Sequence, residues 1–248
     1  MKIAFLLFIL ASSFAAADGV QSRVSIHPQS IEVLNAGLIH YAFQLFDETA
    51  KKDLHDSDLI ETHTKILHFI TYDSSRQEFN HVHPVFDGKF WSVDLNLSSN
   101  GKYFLWAQGQ LTDGSDFSAV TKTIVAGGEK EIPVSALGDV RIGKDHSTIF
   151  ELSNEILKAG KMTMLGFTVS RDDGQEPQMS PYLGAIAHVI AASPDGDELV
   201  HVHPMAGKNP NTGMIHATFQ TPGDYRMWVQ FNDHGELKTI PLSVQVTP

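Results

Sequence analysis

Cysteine is missing from all 248 residues. Its absence excludes disulfides, thiolate metal sites, iron–sulfur clusters and a thiol nucleophile. Positive charge is scarce: 18 Lys+Arg face 29 Asp+Glu, a formal net charge of −11 with histidine neutral. That balance argues against nucleic acid or anionic lipid as the main partner and suits cations. No stretch beyond the N-terminus approaches the ~18 consecutive apolar residues of a spanning helix, so no membrane span is expected. Gly-x-Ser-x-Gly, His-Glu-x-x-His and a phosphate-binding glycine loop are absent as well, which removes the enzyme classes built on them. The expectation is a non-enzymatic protein, with a mononuclear copper oxidase as the one enzymatic option left open.

What is present begins with an address. Lys2 precedes an apolar run from Ile3 to Leu10, extended by Ala11 and Phe14, and Ala15-Ala16-Ala17 leads into Asp18. This reads as a secretory signal peptide over residues 1–17, cleaved after Ala17, and predicts a periplasmic or secreted protein. The remainder is ordinary globular material, 42% hydrophobic and 19% charged.

The remainder is also a tandem repeat. His68, His81, His83 and Pro84 recur as His188, His201, His203 and Pro204, each displaced by 188 − 68 = 120 positions. Gly101-x-Tyr103-x-x-Trp106-x-Gln108 recurs as Gly223-x-Tyr225-x-x-Trp228-x-Gln230, displaced by 223 − 101 = 122. So long a period makes each copy a domain rather than a solenoid unit. The Gly127-Gly128 region reads as the junction. Domain 1 is expected at 20–127, a linker at 128–134 and domain 2 at 135–248. Short β-rich runs such as Ile39–Phe46, Tyr103–Gln110, Met162–Ser170 and Tyr225–Phe231, divided by turn signals such as Ser193-Pro194-Asp195-Gly196, predict an all-β chain. The predicted architecture is two antiparallel Greek-key β-sandwiches of immunoglobulin-like or cupredoxin-like type. The tyrosine of each Gly-x-Tyr reads as a tyrosine corner.

Among the 13 histidines, the duplicated triplet carries the chemistry. Residues i and i+2 of a strand share a face, so His81 projects with His83, and His201 with His203. His68 and His188 lie 13 residues earlier, across a hairpin. Whether they join the same face depends on the parity of the turn, which the sequence leaves open. Three neutral imidazoles without a thiolate suit copper first and zinc second. The expectation is one such site per domain, in a carrier, buffer or sensor. A fourth ligand is left open among water, His63, His40, Met179 and Met205. The competing expectation is an interaction module whose histidines are structural. Trp106 and Trp228 read as core packing, Met162 and Met164 as sheet residues, and Asp195, Asp197 and Glu198 as a solvated turn tip.

"ETHTKILHFITYDSSRQEFNHVHP", together with "PYLGAIAHVIAASPDGDELVHVHP" and "PGDYRMWVQF", resembles the modules of bacterial exported proteins of the YtkA-like and heavy-metal-associated kind. The resemblance covers most of both domains, and departs from the group at Ala187, where members commonly carry Gly. It implies an immunoglobulin-like or cupredoxin-like sandwich and an association with copper handling. Partners would be a metal ion and other exported metal-handling proteins. By position it places the metal-binding histidines at His63, His68, His81, His83, His188, His201 and His203.

Overall fold

The computed structural model describes residues 22–30, 33–62 and 64–248. The apolar leader expected at 1–17 lies outside them. Among the described residues there is no α-helix, one short 3-10 turn at Asp56–Asp58, and no helix long and apolar enough to cross a membrane. Four sheets form two β-sandwiches.

The two halves have the same plan. In domain 1 the front sheet runs Val24–Pro28, Gly37–Asp47, Trp91–Leu97, Val85–Phe86. The back sheet runs Leu34–Asn35, Asp116–Ala126, Gly101–Leu111, Leu67–Asp73, Phe79–Val82. Domain 2 repeats the order, with Ile142–Asp145, Thr148–Leu152, Met162–Arg171, Thr212–Thr218, Met205–Ala206 in front. Its back sheet runs Leu157–Lys158, Glu236–Thr247, Gly223–Asp233, His188–Ala192, Leu199–Val202. Between the domains, Gly128 and Glu129 still bond to domain 1 through Asn100 and Ser98, whereas Val140 pairs with Ser243 of domain 2.

Each sandwich closes over its own core, built from alternate positions of its strands. Phe43, Phe69, Leu105 and Tyr103 fill the first, and Phe150, Val189, Val229 and Tyr225 the second. The tyrosine corners are present. The Tyr103 hydroxyl meets the Ser99 carbonyl at 3.2 Å, and that of Tyr225 meets the Thr221 carbonyl at 3.1 Å. Each hydroxyl also donates to a glutamate of the repeat, Glu78 or Glu198. Those two carboxylates also accept backbone N–H bonds, from Ser98 and from Gln220. Glu198 is therefore a buried corner brace, not part of a solvated tip. A lone carboxylate there would carry a heavy desolvation cost, which these donors offset.

The opposite faces of the two back sheets are buried too. Leu67–Asp73, His188–Ala192 and Leu199–Val202 are buried at every position, a pattern that arises only when a strand is covered on both sides. What covers them is the other domain. Ile70, Tyr72, Phe104 and Trp106 pack with Ile190, Ala192, Leu199 and Trp228 in a third core. Phe79 stacks on Trp228 with ring centroids 4.5 Å apart and planes at 13°. The Trp106 indole N–H donates to the Tyr72 hydroxyl at 3.1 Å, which satisfies the one polar atom that its burial would strand. Both tryptophans are thus core residues, but of the seam between the sandwiches rather than of either sandwich. Polar links flank the third core. Arg76 donates to the Asp224 carbonyl at 2.6 Å, Arg226 to the Arg76 carbonyl at 3.0 Å, and Lys122 pairs with Asp197 at 2.9 Å.

Gly196 shows how closely the domains approach. It has φ of +73°, and a Cβ there would lie 2.3 Å from Cε1 of Phe104 in the other domain. Gly114 also has positive φ, +86°, but opens into empty space. Gly114→Ala is expected to show only backbone strain, about 1 kcal/mol. Gly196→Ala should lose a further ~1–3 kcal/mol to overpacking of the seam. Urea unfolding of both variants checks this, and equal losses would mean that the seam is loose.

Candidate metal centre

The register of the two hairpins places the histidines. Ile70 pairs with His81 and Tyr72 with Phe79. His68, two residues before Ile70, therefore shares a face with His81, as does His83 two residues beyond it. In domain 2 Ile190 pairs with His201, which puts His188, His201 and His203 on the equivalent face. Next in each sheet stands a glutamine, since His68 pairs with Gln108 and His188 with Gln230. The turn parity that the sequence leaves open is thus the one that gathers the rings. Asp73 shapes the first hairpin by accepting from the amides of Ser75, Gln77 and Glu78.

This shared face is the one turned to the other domain, so the two triplets do not form separate pockets. They meet. The His68 ring lies 5.0 Å from that of His201 and 6.4 Å from that of His188, and the His81 ring lies 5.1 Å from that of His201. Six imidazoles form one cluster across the seam. Two sets in it bring their ligand nitrogens within 4.8 Å of one another: His68, His81 and His83 in domain 1, and His81 with His188 and His201 across the domains. His68, His81, His188 and His201 are buried, while His83 and His203 sit at the half-buried rim.

Outer hydrogen bonds fix how each ring faces inward. His81 Nδ1 lies 2.8 Å from Gln230 Oε1, and His201 Nδ1 lies 3.2 Å from Gln108 Oε1. An amide oxygen only accepts, so in each ring Nδ1 carries the proton and Nε2 the lone pair. The Gln108 amide is itself oriented by its Nε2, which donates to Ser118 Oγ and the Leu199 carbonyl. His188 and His68 are turned the other way round. Their Nε2 atoms face the Tyr182 and Thr62 carbonyls at 2.9 and 3.5 Å, which leaves the lone pair on Nδ1. The inward nitrogens then confront each other. His68 Nδ1 is 3.1 Å from His81 Nε2 and 3.3 Å from His83 Nε2. His188 Nδ1 is 3.3 Å from His201 Nε2 and 2.9 Å from His203 Nε2. Between His68 Nδ1 and His81 Nε2, and between His188 Nδ1 and His201 Nε2, two lone pairs face each other, and a positive centre between them relieves their repulsion. Ligands of a tetrahedral ion with ~2.0–2.1 Å metal–nitrogen bonds are about 3.3 Å apart.

The candidates for a fourth ligand fall elsewhere. His63 lies outside the described residues. His40 is exposed on the front sheet of domain 1 and pairs with Asp94 at 2.9 Å. Met179 packs on the domain 2 core, and Met205 is exposed on the front sheet. Sequence reasoning missed Gln108 and Gln230 as members of the centre. Their recurrence in the second repeated block was the available signal, hidden because the partner of each lies in the other half of the chain.

Comparison with known proteins adds the following. Residues 143–248 match a domain of unknown function, DUF8832. No curated protein matches the chain. Among solved structures the chain is similar to a tetra-tandem repeat in the extending region of a large adhesion protein. Identity there is 10% and the TM-score 0.29, covering 91% of this chain and 49% of that one. It is similar to the fibronectin(III)-like modules of Clostridium thermocellum CbhA, at 15% identity and a TM-score of 0.22, covering 94% and 93%. It is also similar to the Escherichia coli adhesin FdeC, at 16% identity and a TM-score of 0.28, covering 94% and 66%. The chain spans about half the length of the first of these.

Burial favours the neutral form of three of the rings. Desolvation, joined by the charge of neighbouring rings, holds His81 and His201 well below the usual imidazole range. Desolvation, with Lys65 and His188 adding, lowers His83 to about 4. The folded protein therefore binds fewer protons than the unfolded chain between ~6.5 and about 4, and stability must fall as pH falls through that window. Each of His81 and His201 contributes a slope of up to about 1.4 kcal/mol per pH unit. The melting temperature of chelator-treated protein should drop on going from pH 7 to pH 5, and His81→Gln/His201→Gln should flatten the drop. A melting temperature independent of pH over that range would contradict neutral burial.

Proposed function

We propose that the chain is an exported, non-enzymatic protein that holds a transition-metal ion in the histidine cluster, copper first and zinc second, as a carrier, buffer or sensor. The observation that carries this reading is the set of outer hydrogen bonds. Carbonyl and amide oxygens hold the far proton of His68, His81, His188 and His201, and this turns their lone pairs on a common centre. Metal-ligating histidines are oriented in this way by the shell behind them. The donor set fits the ion: neutral nitrogens, no thiolate, buried and spaced like the edge of a tetrahedron. Copper(II) leads by the affinity order for nitrogen sites, and zinc follows because the spacing suits tetrahedral coordination. His68, His81 and His83, or His81 with His188 and His201, would hold it. A bound ion supplies the positive charge that lets these lone pairs share one centre. The protein itself keeps the rings neutral, aims them and excludes water. Export rests on the apolar leader at 1–17, and the periplasm suits a chain without thiols.

Calorimetric titration of the mature protein with Zn(II) and Cu(II) should show binding that His81→Gln/His201→Gln abolishes. Gln230→Leu, which removes only an orienting bond, should weaken affinity about 10–100-fold while the fold persists. Affinity no greater than that of a histidine-poor β-sandwich would end this reading. The carbonyl bonds of His68 and His188 are the feature that favours the other one, an interaction module with structural histidines. It predicts a melting temperature that chelator leaves unchanged and that collapses on His83→Ala.

A further inference from the structure

A second set of metal-binding atoms lies on the outer face of domain 2, away from the seam. Of the 7 methionines, Met1 is outside the described residues, and Met179 and Met227 belong to the domain 2 core. The other four share one surface. Met162 and Met164 are exposed, outward-facing residues of the Met162–Arg171 strand, and Met205 is exposed on the Met205–Ala206 strand. Met214 and His216 are the outward-facing, half-buried residues of the Thr212–Thr218 strand between them. Met164 pairs directly with His216, and Met205 directly with Met214. Met214 also faces Gly166, which has no side chain to fill the space opposite it. An open depression of about 410 Å³ lined by Gly166, Gly213 and Met214 adjoins it. Directly opposed residues have Cβ atoms ~4.5–5.5 Å apart and diagonal ones ~7–8 Å. Three rotatable bonds per methionine span such gaps, so Met164 reaches His216 and Met214, while Met205, two strands from Met164, reaches Met214.

The equivalent face of domain 1 is an internal control. There Val85 stands at the place of Met205, 205 − 85 = 120, and the outward residues of the neighbouring strands include His40, Ser92, Asp94 and Asn96. The methionines are therefore peculiar to domain 2 and are not required by the shared fold. Long thioether side chains gathered on a solvent-facing sheet contribute little to folding. Their distinctive chemistry is soft: thioether sulfur with imidazole selects Cu(I), where the all-nitrogen cluster in the seam favours Cu(II) or Zn(II).

We propose that Met164, Met214 and His216, with Met205 beside Met214 and Met162 flanking, form a surface site for Cu(I), separate from the histidine cluster. Two measurements on the full mature chain test it. Under anaerobic conditions, Cu(I) supplied as its acetonitrile complex against a chromophoric chelator should register one equivalent bound through sulfur, with sulfur scattering in X-ray absorption. Met164→Leu/Met205→Leu/Met214→Leu should lose that equivalent and keep Zn(II) binding in the seam. His81→Gln/His201→Gln should keep it even if the seam binds nothing, so the two proposals fail separately. In unaltered protein with 13C-methyl methionine, Ag(I) as a redox-inert probe should shift the signals of Met162, Met164, Met205 and Met214 and leave Met179 and Met227 in place. Unmoved methyl signals, or a triple variant that still binds the sulfur-coordinated equivalent, would overturn the proposal.

Discussion

The packing of one back sheet on the other is the constraint from which the site follows. Each back sheet presents a half-apolar, half-imidazole face, and neither half of that face is stable in isolation. The aromatic part requires cover, which Phe79, Trp106 and Trp228 supply to one another across the seam. The imidazole part, once covered, must find partners for every ring proton, because a stranded donor in a dry interior costs about 1–3 kcal/mol. The fold meets that demand with carbonyls from the loops before each hairpin and with a glutamine from the opposing domain. Satisfying the outer nitrogens is what leaves the inner ones facing one another. Structural need and the gathering of the rings are thus met by the same four hydrogen bonds.

Much of this was legible from residue order. The repeat, the β-sandwich class and the strands that carry the repeated blocks follow from alternation, turn residues and spacing. The shared face of His81 and His83 follows from the period of a strand. What escaped was everything that depends on a second sheet. Nothing local says that the outward face of Leu67–Asp73 is covered, although the unbroken run from Ala187 to Ala192 is the kind of pattern that a doubly covered strand leaves. Glu198 was misread for the same reason. At a turn beside Asp195 and Asp197 it looks solvated, and only the third dimension brings the Tyr225 hydroxyl and two backbone amides to it. The outer methionines do not stand out as a group in the sequence, because Met164 and Met205 are far apart in it and share a face only through the strand between them.

The two halves are not equal partners. Leu199 stands where Phe79 does, Ala192 where Tyr72 does, and the charged Arg226 takes the position of Phe104. These differences let Trp228 stack on a phenylalanine while Trp106 bonds a tyrosine hydroxyl. The histidines and glutamines, by contrast, are matched residue for residue. Divergence has fallen on the greasy part of the seam and on the outer faces, and the polar part has kept its plan.

The exchange of glutamines bears on origin. Contacts in which residue i of one half meets residue j of the other, and j meets i in return, are the mark of an isologous two-fold interface. The pairs His81–Gln230 and His201–Gln108 have that reciprocity, so the molecule has the form of a homodimer whose subunits have been joined end to end. Fusion changes the mass action. Two free subunits would part on dilution, whereas a short tether holds its partner at an effective concentration on the order of millimolar. At any dilution the joined chain keeps its two halves together, and with them the cluster of imidazoles between.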